Sequence, residues 1–162
     1  MKERPKTIIG LILLWISLCS LFLLWGAYTL TVLINMAVKW TYPVGSEGLA
    51  PILHFGFILT TIVWFLFSFV FISIAIGTLK AHDWVWTTGL ILSTFFLAIF
   101  ALMLGSFIII FIIYSDFITF FVQYGLITTI LAFITDLGII FFLTRPATKF
   151  YFHMAKEQKK LH

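Results

Sequence analysis

A chain of 162 residues with 62% hydrophobic and 10% charged side chains is too poor in charge for a soluble domain, where roughly a quarter of residues are charged. The mean hydropathy of +1.16 points the same way. The net charge of +4 is no sign of a nucleic-acid partner, because the basic residues gather at the ends of apolar stretches, where membrane topology places them.

The first charge-free stretch, Thr7–Val38, follows Lys2, Arg4 and Lys6. A spanning helix needs roughly 20 apolar residues and a signal-peptide core only about 7–15, so an uncleaved span is expected here. Cys19, the sole cysteine, lies inside it, has no internal disulfide partner and reads as a buried packing thiol. The connection Lys39–Pro51 collects helix breakers; Pro51 suits the first turn of the next helix, and Trp40 and Tyr42 suit the membrane–water interface. Gly48–Leu79 is the second charge-free stretch, and Lys80–Trp84 is a tight turn that predicts antiparallel neighbours on either side. Lys80, Trp84 and Trp86 are expected to anchor this end. Trp84–Ser115 is the third stretch, and Ser115-Asp116 can cap the fourth, Phe117–Thr144. The tail from Arg145-Pro146 is polar and basic, an amphipathic helix or an arm on an anionic leaflet, with Arg145 and Lys149 as further anchors beside Arg4.

The whole chain, 1–162, is thus expected to be one all-α four-helix transmembrane bundle, with spans near 7–38, 51–79, 84–114 and 117–144 and a tail over 145–162. With the N-terminus inside, nine of the ten Lys and Arg residues fall on the inner side and Lys39 alone falls outside. The positive-inside rule then places both termini in the cytoplasm, in a multi-pass protein of the cell membrane. The stretches are longer than crossing requires. About 32 helical residues reach roughly 48 Å, against about 30 Å of hydrocarbon, and tilt absorbs only part of the excess. With the inner ends pinned by charge and tryptophan, the surplus lies outside. It either folds into the interface or protrudes against a partner protein, with Phe107, Ile109, Phe111, Ile113, Phe117 and Phe121 as the candidate contact surface.

Asp136 is the one charge inside these four stretches. Gly125, Thr129, Ala132 and Asp136 follow at helical spacings on one small, polar face, and small faces let membrane helices approach closely, so Asp136 is expected to look into the bundle. Counting equal depths from the inner edge reaches Ser17, Ser73 and Ser93 on the other helices. The four residues form a candidate intramembrane polar layer. Either Asp136 is protonated or hydrogen-bonded to serines and fixes packing, or it is the proton or cation site of a small transporter. The second chemistry usually recruits several ionisable groups or an interrupted helix, so packing is preferred.

His54, His82, His153 and His162 show no metal-ligand spacing, and no phosphate loop or grouped Ser/His/Asp set is present. No cofactor, metal site or catalytic residue is assigned. The twenty phenylalanines are read as lipid-facing surface rather than a quinone groove.

The turn Gly77-Thr-Leu79-Lys80…Trp84-Val-Trp86…Gly89-Leu90, the opening Arg4-Pro5 and the end Leu143-Thr-Arg145-Pro146…Lys149-Phe-Tyr151-Phe152 resemble the motifs of a group of uncharacterised small four-span membrane proteins. The resemblance covers most of the chain, departs from the group in a longer outer extension and in Thr148 where Val is usual, and implies a fold but no activity. In its Ile- and Phe-rich, ligand-free spans the chain is also similar to small accessory subunits of archaeal and bacterial membrane oxidoreductases, such as respiratory oxidases and the copper-dependent ammonia monooxygenase. The absence of ligand spacings, together with the surplus apolar helix on the outer side, leads to the expectation of a non-catalytic accessory subunit whose partners are the bilayer and other membrane subunits, with a small oligomeric proton- or cation-coupled transporter using Asp136 as the alternative.

The topology is tested by cysteine labelling in intact cells. A cysteine placed at Glu47 is expected to react with an impermeant reagent and one at Gln158 to stay protected; the reverse pattern would sink the assignment.

Overall fold

A computed structural model describes the backbone of residues 6–39, 50–113 and 120–160, and the side chains of 6–35, 37, 54–109 and 125–154. Arg4, Trp40, Tyr42, Ser115, Asp116 and Phe117 lie outside the described residues, as do the side chains of Phe111, Ile113 and Phe121. Five helices follow one another: α1 Lys6–Lys39, α2 Ala50–Leu79, α3 Asp83–Ile113, α4 Phe120–Thr144 and α5 Pro146–Lys160. The first four are long and apolar enough to cross a membrane, which makes the chain a multi-pass membrane protein. Pro51 falls in the first turn of α2 and Pro146 opens α5, positions where the missing proline N–H leaves no helical acceptor unpaired.

The four long helices form an up-and-down ring in which α1 packs along α2 and α4, and α3 along α4. The seam between α2 and α3 is different. The tight turn makes them antiparallel neighbours, but their backbones come close at few positions, and rings fill the space between them: Phe96 lies 4.7 Å from Phe67 and 5.3 Å from Phe71. Phe22 of α1 enters this gap from the side. Its ring centre is 5.1 Å from those of Trp64 and Phe71, 5.3 Å from Phe96, 5.9 Å from Phe67 and 6.2 Å from Phe100, in the tilted and edge-on arrangements aromatic quadrupoles favour. Elsewhere glycine lets helices touch. A Cβ at Gly125 of α4 would sit 2.8 Å from the Phe107 ring of α3, and one at Gly89 of α3 would sit 3.1 Å from Trp15 of α1.

Hydroxyls and one thiol tie α1 to α2. Thr61 donates to the Thr29 hydroxyl at 2.9 Å, and Cys19 Sγ donates to the Ser68 carbonyl at 3.3 Å, which gives the lone cysteine a packing role. Outward faces carry large apolar side chains such as Leu102, 74% exposed, and Phe69, 66% exposed. A surface of this kind is stable only against lipid or protein.

The turn between α2 and α3 closes as a Schellman motif, with His82 N–H bonded to the Gly77 carbonyl at 3.0 Å and Ala81 N–H to that of Thr78 at 3.2 Å. Such a motif needs a left-handed residue at its corner, and here that residue is Ala81, at φ 51°. An L-residue there costs about 1–2 kcal/mol, which glycine avoids. Ala81→Gly is therefore expected to stabilise the protein by about 1 kcal/mol, after glycine's greater unfolded-state entropy is set against the relief. Thermal unfolding in detergent reads this directly, and a lower midpoint would contradict the corner geometry.

Candidate functional site

Asp136 is fully buried in α4. Its helix face runs Gly125, Thr129, Ala132, Asp136, Ile139 and Leu143, all buried and spaced by three or four residues, with Thr128 buried beside Thr129, while Phe141 is exposed. The neighbours at its depth follow from the helix registers. Gly138 meets Leu14, and Gly10 meets Phe142, which sets Asp136 level with the turn of α1 that carries Trp15 and Cys19. Trp15 stacks on Phe71 of α2 at 5.7 Å. On α3, Gly89 meets Leu143 and Gly125 meets Phe107, which brings Ser93 to the same level.

Of the three serines expected beside Asp136, one is there. Ser93 is fully buried, and its hydroxyl interacts with the Asp136 carboxyl, although at a geometry looser than a standard hydrogen bond. Ser17 and Ser73 stand at the right depth on the wrong face. Both are exposed, and Ser73 donates instead to the Phe69 carbonyl of its own helix at 2.7 Å. The buried positions of α1 include Leu11, Trp15, Leu18 and Phe22, and Ser17, two residues past Trp15, is turned about 200° from it. On α2 the same displacement separates Ser73 from Phe71.

Trp15 is a buried polar residue near this level that sequence reasoning missed. It is fully buried, and its indole N–H, the Ser93 hydroxyl and both carboxyl oxygens of Asp136 are buried polar atoms without a hydrogen bond of standard length. The signal was available in the spacing of Leu11, Trp15, Leu18 and Phe22, but a tryptophan among leucines carries no mark of polarity. The acid and the Ser93 hydroxyl, from two helices, form a pair able to orient those helices by a hydrogen bond, with the Trp15 ring packed at about the same level; proton relays usually take several ionisable groups. Among the described residues no three His, Cys, Asp or Glu side chains gather as a metal site.

At the basic end a second polar region forms where the turn and the tail meet. Trp86 Nε1–H donates to the Leu143 carbonyl at 3.0 Å, Lys149 Nζ lies 5.4 Å from the Trp86 ring centre, and the Arg145 guanidinium sits 4.3 Å above Phe141. Lys80 and Trp84 are exposed beside them. At the far end, Ile109 is 58% exposed, whereas Phe107 turns toward α4 and packs over Gly125 instead of facing outward.

The packing role of Asp136 has a measurable signature. Asp136→Asn keeps size and hydrogen-bonding capacity, and is expected to change stability by no more than about 0.6 kcal/mol, the mean value of an interhelical hydrogen bond in a membrane. Asp136→Leu crowds the small face and strands Ser93, so its loss of thermal stability in detergent should be clearly larger; equal losses would remove the hydrogen-bonding role.

In comparisons with known protein families, curated proteins and solved structures, no match to this chain is found.

Proposed function

We propose that this protein is a non-catalytic subunit of a larger integral membrane complex, held with its termini in the cytoplasm by the basic residues at one end of the bundle. The observation that carries the reading is the length of α1 and α3. They continue unbroken for 34 and 31 residues, or roughly 50 and 46 Å at 1.5 Å per residue, well beyond about 30 Å of hydrocarbon. Straight continuation favours protrusion over a fold back into the interface. The far-end side chains remain apolar, with Ile34 at 53% and Ile108 at 55% exposure. Apolar helix beyond the bilayer is stable against another protein, and a respiratory oxidase or a copper membrane monooxygenase is the kind of assembly that carries such ligand-free subunits.

One observation favours a second reading, a small proton- or cation-coupled transporter: both Asp136 oxygens lack a standard hydrogen bond. Against it, a small cavity inside the bundle is lined by residues that include Phe22, Trp25, Trp64, Thr128 and Thr129 but not Asp136, and holds about 10 Å³, space for about one water.

Extraction from native membranes in mild detergent, followed by a native gel and mass spectrometry of the band, separates the readings. The expected outcome is co-migration with different membrane polypeptides in fixed ratio. A lone monomer or a pure homo-oligomer would count against the subunit, and pH-gradient-driven flux in vesicles that vanishes in Asp136→Asn would establish the transporter.

A further inference from the structure

The basic end holds a groove of about 550 Å³ between α5 and the start of α3, lined by Asp83, Trp86 and Thr87 on one side and by Pro146, Lys149, Phe150, Phe152 and His153 on the other. Its walls follow from helical spacing: 83, 86 and 87 share a face of α3, and 146, 149, 150 and 153 share a face of α5. Three properties define what it can hold. It lies where the apolar spans stop, at the first residue of the α3 span and just past Thr144, the last of α4, so its mouth is at the boundary of lipid and water. Its walls are aromatic, and Phe150, 65% exposed, continues them outward toward lipid. It also presents both signs of charge. Asp83 lines one wall and Lys149 and His153 the other, and among the described residues no ion pair joins them across the groove.

We propose that this groove binds one membrane phospholipid whose headgroup carries a phosphate and a primary ammonium. The phosphate lies against Lys149, with His153 and the Thr87 hydroxyl beside it, and the ammonium against Asp83. The glycerol and the start of the acyl chains rest on Trp86 and Phe150. A headgroup with a phosphate and only neutral hydroxyls satisfies Lys149 but offers the Asp83 carboxylate no cation. A quaternary ammonium approaches Asp83 without an N–H to donate. Charge complementarity therefore selects the aminoethyl phosphate ester over both. The 550 Å³ volume falls within the usual span of small-ligand sites.

Native mass spectrometry of the purified full chain in detergent, titrated with phosphatidylethanolamine, phosphatidylglycerol or phosphatidylcholine, tests this. The expected result is one tightly retained phosphatidylethanolamine, preferred over either competitor by about tenfold, the effect of one charge-assisted hydrogen bond. Asp83→Asn is expected to erase the preference over phosphatidylglycerol, and Lys149→Gln to weaken all three lipids, while Asp83→Glu and Lys149→Arg keep the wild-type order. Equal retention of the three lipids by the wild type, or an order unchanged in Asp83→Asn, would overturn the proposal. So would loss of binding in the charge-preserving variants, or displacement of the lipid by soluble phosphoethanolamine at equal concentration, since the site would then read a free headgroup and not a lipid.

Discussion

The aromatic cluster around Phe22 fills the seam that the backbones of α2 and α3 leave between them. In hydrocarbon a helix gains little by hiding apolar surface, since lipid tails are as apolar as leucine, and shape decides which faces meet. A ring projecting from α1 meets α2 and α3 at once, and the rings of Phe67, Phe71, Phe96 and Phe100 close around it. The opposite seams close by the reverse device, with glycines at positions 89, 125 and 138 admitting a neighbour's side chain directly onto the backbone. The α2–α3 seam is filled by aromatics, whereas α4 meets α1 and α3 over glycine.

That asymmetry explains where the polar atoms lie. Asp136 stands on the small face that α4 turns to α1 and α3, where its carboxyl meets α3 through Ser93 and stands level with Trp15 of α1. The second polar region lies a few turns away, where Trp86, Leu143 and Lys149 join the ends of α3 and α4 to α5. The two are linked through Gly89 and Leu143, each in contact range of Trp15 or of the other. Packing at the acid and packing at the interfacial groove therefore share side chains.

The number of spans, their approximate ends and the inward face of α4 were legible because each depends on a coarse quantity: the length of charge-free runs, or the one helix face that is small and polar. Ser17 and Ser73 show where legibility stopped. Their depth follows from counting residues at a fixed rise, but the direction they face depends on which stripe of an all-apolar helix is buried, and apolar periodicity vanishes when lipid and core look alike. Only α4, with Gly125, Thr129, Ala132 and Asp136, carries a compositional mark of its inner face. The same blindness hid Trp15 and put Phe107 on the outward surface, when only the bare backbone at Gly125 explains why its ring turns inward. The groove between α3 and α5 joins residues some sixty positions apart, and no local pattern announces it.

The position of Asp136 in chain order also bears on how the protein is made. An aspartate at the centre of a span opposes insertion by about 2.5–3.5 kcal/mol on the translocon scale, so α4 is the one crossing whose entry into the bilayer carries a polar penalty. It is also the last of the four to leave the ribosome. By then α3, which carries Ser93, is already in the membrane, and the late helix can pass from the translocon onto a waiting hydroxyl donor instead of into bare lipid. An intramembrane acid on the first span would have had no such reception.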